Sequence, residues 1–283
     1  MEIKNEIAKD YEEYCNQRLI SEFGNYKAGG HNPMHLYHRY KYRILDAYPR
    51  QVIEPHNFTI PTEHLSAYRK IISDIKSGNP LNKYQSRRLK RLDYDDDMLS
   101  HWRIQHFHLG ENLESDGFVS RTPDLLFIHF SNTEAHIIGF FSHKDWCNLD
   151  IIETIHNNWP KLLISFKSES TSEPLTEEQY RILRTKNAIT TVKVQDGTEY
   201  HAPGLGVVAN GSPIEAITNV QRILITFENS FDAISTNIHQ ILEADPQKRT
   251  TEIATIGLEM DEANQRFVYI IKETGHRFTL DYE

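Results

Sequence analysis

Two apolar segments separated by a short polar turn constrain the fold of this chain more than any other feature. They cover residues 124–131 and 135–143, and Ser131-Asn132-Thr133-Glu134 links them. Apolar segments of this length around a tight turn are typical of a β-hairpin. The preceding stretch, Trp102 to Gly110, has a period-two pattern of side chains, which predicts another strand. We therefore expect a central antiparallel sheet.

Histidine is concentrated in this part of the chain. Period-two alternation puts His106 and His108 on the same strand face as Ile104, about 7 Å apart along the strand. His143 ends the predicted hairpin. Histidine titrates near neutral pH and binds metals, so these three residues are the candidate catalytic histidines. The other four histidines of the region are interpreted as structural: His101, His129, His136 and His156.

A basic cluster precedes the histidine strand and is predicted to be a helix. Its members are Lys83, Arg87, Arg88, Lys90 and Arg91. Such a cluster next to a site would attract phosphate, with Arg103 and Lys144 as further contacts. The alternative is a solvated helix face, balanced by the acidic residues that follow. Among these, Asp95-Asp96-Asp97 could also bind a hard cation.

The remaining elements predict an α+β protein with a helical N-terminal part, a central antiparallel sheet with histidine-bearing strands, and a C-terminal long helix plus three-strand meander. The first 23 residues predict one amphipathic helix, and residues 161–173 predict a linker. The C-terminal elements are predicted at 174–186 (helix, N-cap Thr176), 189–194 and 198–200 (strands around Asp196-Gly197), 214–243 (long helix) and 252–260, 266–272 and 276–282 (meander). The predicted domains are a helical region at 1–80, a central α+β unit at 81–165 and a C-terminal α+β unit at 174–283.

Composition limits the classes of protein that fit this sequence. A chain of 283 residues with 39% hydrophobic and 25% charged residues is typical of a globular protein, and we expect no membrane segment. The two cysteines, Cys15 and Cys147, indicate no disulfide framework and favour a cytoplasmic location. A net charge of −9 argues against a protein that coats nucleic acid non-specifically.

Over residues 80–160 the predicted elements follow the order helix, basic cluster, strand, arginine-bearing loop, hairpin and terminal histidine. This order resembles that of the RelE-like endoribonuclease toxins, which are grouped with barnase and the colicin nucleases. Arg121 matches the loop arginine of that group, and His143 matches the histidine near the end of its sheet. The resemblance implies a bacterial endoribonuclease of toxin or phage-defence type that cleaves RNA without a metal or other cofactor. An unregulated ribonuclease would harm its host, so we also expect a protein antitoxin or regulatory partner. His106 and His108 have no counterpart there, and their acid or base roles are inferred from the strand.

A second resemblance covers most of residues 90–215. The chain contains the segment Trp102-x-Ile104-x-His106-Phe107-His108-Leu109, followed by Arg121-Thr122 and Asn158-Trp159-Pro160. This pattern is similar to that of a bacterial family whose core reads Trp-x-Ile-x-His-Leu-His-Leu. Phe107 departs from that core, which has leucine there. The family has no assigned activity, so this resemblance implies an arrangement of elements and no reaction.

Three alternatives stay open from the sequence. His106, His108 and His143 could bind zinc, with a water as the further ligand, in a metal-dependent hydrolase or nuclease. The protein could also be a non-catalytic interaction or sensor protein of a defence or toxin–antitoxin system, with buried, hydrogen-bonded histidines. Arg103 and His108 also fit the arginine–histidine spacing of HEPN ribonucleases, although that motif lies on a helix and here a strand is predicted.

Overall fold

The computed structural model describes residues 1–168 and 173–280 and has the predicted α+β architecture. Its α-helices are α1 (Ile7–Phe23), α2 (Pro33–Arg43), α3 (Leu65–Ser77), α4 (Asp97–Trp102), α5 (Asp150–Asn158), α6 (Glu177–Thr185) and α7 (Ile214–Glu243). Its strands are β1 (Glu2–Asn5), β2 (Gln51–Ile53), β3 (Ile104–His108), β4 (Asp124–Phe130), β5 (Glu134–Ser142), β6 (Lys167–Ser168), β7 (Val192–Lys193), β8 (Glu199–Tyr200), β9 (Ile253–Asp261), β10 (Arg266–Ile271) and β11 (His276–Phe278). No helix in these described ranges is long and apolar enough to cross a membrane.

The central sheet is built around the predicted hairpin and has the strand order β2-β5-β4-β3. β3, β4 and β5 are antiparallel neighbours, as the sequence predicts, and β2 adds to β5 in parallel. Both sheet faces are covered. Ile104 and Phe127 belong to one core cluster together with Ile151 of α5, whereas Phe107 belongs to another together with Ile71 of α3. Buried packing on both faces fixes the strand register, because a slip of one residue would exchange the two faces.

The basic segment before the sheet is not the predicted helix. It contains two short 3-10 helices, Asn82–Tyr84 and Arg87–Lys90, and the first α-helix after it is the six-residue α4. Tyr84 and Leu89 are the buried hydrophobic residues between positions 82 and 97. Because these two side chains form no apolar stripe at helical spacing, nothing in the segment stabilises a longer helix.

The N-terminal prediction of one helix over residues 1–23 is wrong at its start. β1 precedes α1 and pairs in parallel with β9, with Ile3 opposite Ala254. The predicted long helix α7 and the predicted C-terminal meander are both present, and β1 makes the meander a four-stranded sheet of order β1-β9-β10-β11. The pairing joins segments about 250 positions apart, which local periodicity does not reveal.

The predicted linker is also structured in its described part. Residues 160–168 form the 3-10 helices Pro160–Leu162 and Ile164–Phe166 and then β6, which pairs with β8 in a small sheet of order β6-β8-β7. Residues 169–172 of the predicted linker lie outside the described residues. Thr176 caps α6 as predicted, in a capping box completed by Gln179.

Contacts divide the chain into two compact units, one of Met1–His38 with Ala216–Glu283 and the other of Arg39–Glu215. The first has its own core, which includes Ile7, Val220 and Ala254. This division differs from the three predicted regions 1–80, 81–165 and 174–283, because the β1–β9 pairing groups the two ends of the chain. Every residue predicted to form the site belongs to the second unit.

Candidate functional site

His108 and His143 lie at the same edge of the central sheet. β3 and β5 both run antiparallel to β4, so the end of β3 at His108 and the end of β5 at Ser142 fall on one side. His143 follows Ser142 directly, and the centroids of the His108 and His143 rings are 5.2 Å apart. The strand geometry therefore brings these two predicted site residues together from positions 35 apart in the sequence.

His106 faces a carboxylate from the preceding helix. Asp96 is the N-cap of α4, where its Oδ1 accepts a hydrogen bond of 3.1 Å from Leu99 N. Its Oδ2 lies 3.3 Å from His106 Nδ1, within ion-pair distance but not aligned for a hydrogen bond. His106 Nδ1 is buried, which leaves Nε2 as the ring nitrogen available to a ligand. The Asp96 carboxylate thus has two structural functions, in the cap and at the histidine.

His108 is buried behind the other two histidines, with only 1% of its surface exposed. Burial, and next the charges of His143 and His106, lower the pKa of His108 to about 4. The backbone N–H of Thr122 donates to His108 Nδ1 at 3.4 Å. A neutral ring that accepts at Nδ1 carries its proton on Nε2. At neutral pH His108 is therefore an uncharged neighbour of His143.

His143 is exposed at the end of β5. Partial desolvation, followed by the positive charge of Arg121, lowers the pKa of His143, and a hydrogen bond to the backbone of Thr122 partly opposes this shift. A lowered pKa makes the ring neutral, and thus able to accept a proton, at neutral pH.

A pocket of about 400 Å³ opens beside these groups within the second unit. His106 and His143 both line it, whereas His108 and Arg121 are not among its lining residues. Its other lining residues are Arg88, Tyr94, Asp95, Asp96, Asp97, Met98, Leu125, Phe127, Ser142, Trp146, Arg184, Thr185 and Asn187. This volume is within the range of small-molecule and cofactor sites. Two histidines, two arginines and aromatic side chains therefore converge on one cavity.

Each residue of the triple aspartate has a cationic or histidine partner. The pairs are Asp95 with Arg39, Asp96 with His106, and Asp97 with Arg184. Burial raises the pKa of both Asp95 and Asp97, while the arginine partner of each opposes the shift. The three carboxylates therefore form separate pairs in the pocket wall. Within the described ranges, no group of three or more His, Cys, Asp or Glu side chains is arranged to hold a metal ion.

The predicted substrate-binding bases differ in how far they are already paired. Three of them form ion pairs: Arg87 with Glu114 and Asp116, Arg91 with Asp93, and Arg103 with Glu215. Lys90 donates to the backbone oxygen of Asp116 at 2.8 Å. Arg88 and Lys144 form no ion pair with a described residue, and Arg88 lines the pocket with its guanidinium 5.5 Å from the Tyr94 ring centroid.

Arg121 lies exposed on the loop between β3 and β4 and makes no ion pair with a described carboxylate. Its charge is near enough to lower the pKa of both His108 and His143. The loop is fixed to the sheet through Thr122, whose hydroxyl accepts a hydrogen bond from Leu109 N at 3.0 Å and donates one to Asp124 O at 2.6 Å. Arg121 is therefore an unpaired cation on an anchored segment.

Reasoning from the sequence named Asp96 only as a possible cation ligand and did not find its contact with His106. It also did not find the pocket residues that come from α6 and its C-terminal turn. Asp96 carried a usable signal, because an aspartate directly before a helical segment is a typical N-cap. Arg184 and Asn187 carried none, because they reach the pocket from positions about 80 residues beyond β3. Compared with known proteins, the chain matches no family model, no curated protein and no solved structure at a significant level.

Proposed function

We propose that this protein is an endoribonuclease that cleaves RNA by metal-independent transfer of the phosphoryl group to the ribose 2′-oxygen. The observation that supports this most is that His106 and His143 line one pocket together with the unpaired Arg88. Such a reaction needs a base, an acid and a cation, and histidine and arginine supply these at neutral pH. The resemblance to RelE-like ribonucleases implies the same reaction.

His143 has the properties of the general base. Its lowered pKa leaves the imidazole neutral at pH 7, so it accepts the proton of the 2′-hydroxyl. The 2′-oxygen then attacks phosphorus. His108 packs against the His143 ring with 5.2 Å between the ring centroids, and as a buried neutral group it restricts where that ring points.

His106 has the properties of the general acid. Its Nδ1 faces the Asp96 carboxylate at 3.3 Å, and this contact orients the ring so that Nε2 faces the ligand. The proton on Nε2 passes to the 5′-oxygen as the phosphorus–oxygen bond breaks. The products are a 2′,3′-cyclic phosphate and a free 5′-hydroxyl. Arg88 and Arg121 counter the charge on the non-bridging oxygens during this transfer.

The proposal is tested by cleavage of a labelled single-stranded RNA by the purified chain in the presence of EDTA. We expect cleavage that persists in EDTA and falls by two or more orders of magnitude in both His106→Ala and His143→Ala, since each removes one proton-transfer group. His56→Ala is the matched control, because His56 is exposed in the same unit and does not line the pocket.

Other results would identify the remaining alternatives. Cleavage that EDTA abolishes and zinc restores would favour a metal-dependent hydrolase with His106, His108 and His143 as ligands. No cleavage of any RNA by the wild-type chain, with both histidine variants folded, would favour the non-catalytic interaction or sensor protein.

A further inference from the structure

We propose that Trp146, Thr185 and Asn187 form a subsite for one nucleobase of the RNA, and that this subsite prefers adenine and cytosine over uracil. This inference rests on the proposed function, because it assigns the part of the same pocket that the proton-transfer groups do not use. The three side chains line the pocket together with His106 and His143. A single nucleotide therefore meets both groups of residues.

Trp146 supplies a fixed aromatic surface. The guanidinium of Arg184 lies 5.3 Å from the Trp146 ring centroid, and the Arg184 side chain is 0% exposed. That guanidinium is itself fixed by the Asp97 carboxylate and by the Tyr180 hydroxyl, at 2.8 Å. The indole therefore packs against a buried arginine that is itself held in place, and it stays in position for a ligand. Stacking of a base on such a ring adds to binding without requiring one particular base.

Asn187 supplies a hydrogen-bond acceptor with a defined direction. Its Nδ2 donates to Ala209 O at 3.1 Å, which assigns the amide orientation and leaves Oδ1 free of any described donor. Its backbone has φ of 57°, a left-handed conformation that asparagine tolerates, and its N–H donates to Arg184 O at 2.9 Å. The side chain therefore starts from a fixed point directly after α6.

Thr185 adds a second acceptor. Its hydroxyl proton is used in a 2.7 Å hydrogen bond to Ile182 O, so only its lone pairs remain for a ligand. Two acceptors favour a donor on the base edge. Adenine and cytosine present an amino group on the edge where uracil presents a carbonyl oxygen. An unpaired carbonyl against these acceptors would lose hydrogen bonds with water and gain none.

The test measures binding by the full-length His106→Ala variant, which keeps the subsite and leaves the RNA uncut. Fluorescein-labelled hexamers of adenylate, cytidylate and uridylate are titrated at fixed salt. We expect the adenylate and cytidylate hexamers to bind about tenfold more tightly than the uridylate hexamer, the discrimination typical of one base-edge hydrogen-bond pair. In Asn187→Ala on the same background the preference should fall to within about twofold of equality, because the amide acceptor is gone.

Asn157→Ala is the matched control, since Asn157 is exposed on α5 and does not line the pocket. It should keep the full preference. Trp146→Ala should weaken all three hexamers about equally, by about tenfold or more, through lost stacking. Equal affinity for the three hexamers, or an unchanged preference in Asn187→Ala, would overturn the subsite.

The same titration separates this inference from the proposed function. Base-selective binding without cleavage by the wild-type chain would support the subsite and refute the ribonuclease. Cleavage without base selectivity would do the reverse. Selective binding of cytidine monophosphate over uridine monophosphate, as tight as that of the hexamers, would support the subsite and identify its ligand as a free nucleotide.

Discussion

At the scale of single residues, the chemistry depends on two histidines with different surroundings. His143 is exposed next to Arg121, which helps to lower its pKa, whereas His106 faces the Asp96 carboxylate at 3.3 Å. Different surroundings are what a base and an acid require if both are to act at one pH. The negative charge beside His106 is that of Asp96, which acts through the histidine and is therefore a positioning residue.

Replacement of Asp96 by asparagine tests this role without removing the helix cap. Asparagine caps helices about as well as aspartate, so Asp96→Asn should keep stability within about 0.5 kcal/mol. It removes the charge that faces and orients His106, so we expect kcat to fall about tenfold or more. Urea denaturation and cleavage kinetics measure the two effects.

The matched control is Asp93→Asn, because Asp93 is exposed and pairs with Arg91 away from the histidines. It should leave kcat and stability unchanged. A loss of activity in Asp96→Asn that matches a loss of stability would assign Asp96 a structural role only.

The residues of the site differ in how far the sequence could predict them. His106, His108 and His143 followed from strand alternation and from the end of a hairpin, which are local patterns. Asn187 and Arg184 had no such pattern, because their contribution depends on how α6 packs against the sheet. Among the basic residues, the sequence could not show that Arg87 is paired and Arg88 is not, because only the fold brings Glu114 and Asp116 to Arg87.

At the scale of elements, the loop between β3 and β4 carries Arg121 and is held close to the sheet. Gly110 lies where a Cβ atom would approach Ser120 O to within 2.0 Å and Ser120 C to within 2.8 Å. Both are backbone atoms, so an added methyl group would push the two ends of the loop apart. The position of Arg121 therefore depends on the absence of a side chain at Gly110.

Gly110→Ala should destabilise the protein by about 1–3 kcal/mol, the usual cost of forcing extra volume into a packed region. It should also reduce cleavage, because Arg121 and Thr122 move with the loop. Urea denaturation and cleavage of labelled RNA measure the two effects. Gly117→Ala is the control from the same loop: its Cβ would meet nothing within 4 Å, and its φ of 84° predicts only the backbone cost of about 1 kcal/mol. Full cleavage activity in Gly110→Ala would contradict the proposed role of the loop.

The elements themselves were largely predictable. The hairpin, α7 and the C-terminal meander have strong periodic patterns with clear turns, and each is present. β1 was missed because its partner β9 is distant in sequence. The basic segment was assigned to a helix on composition, although it lacks an apolar stripe that could hold one, and the 3-10 helix Arg87–Lys90 is the result.

At the scale of the whole molecule, buried neutral histidines make stability depend on pH. His101 is 0% exposed and His108 is 1% exposed. Burial is the main cause that lowers the pKa of His101 to about 3 and that of His108 to about 4, against 6.5 for both in an unfolded chain. The unfolded state therefore binds protons first as the pH falls. The contribution of these histidines to stability is full above pH 6.5. It is lost between pH 6.5 and about 4 for His108, and between pH 6.5 and about 3 for His101.

Between pH 7.5 and pH 5, each of these two histidines should lower the free energy of unfolding by about 2 kcal/mol. Urea denaturation at the two pH values measures the difference. His108→Gln should reduce it by about that amount, because glutamine takes up no proton, whereas His35→Gln should not, since His35 is exposed. An equal pH dependence in His108→Gln would show that the folded chain admits a charged His108.

The central claim is that His106 and His143 transfer protons in a metal-independent attack by the ribose 2′-hydroxyl. It is tested most directly with a DNA oligonucleotide that contains one ribonucleotide, incubated with the chain in EDTA and examined by mass spectrometry. We predict one cut, directly 3′ of the ribonucleotide, with a 2′,3′-cyclic phosphate on one product and a 5′-hydroxyl on the other. Cleavage of the all-DNA strand, or a cut that requires a divalent metal ion, would contradict the claim.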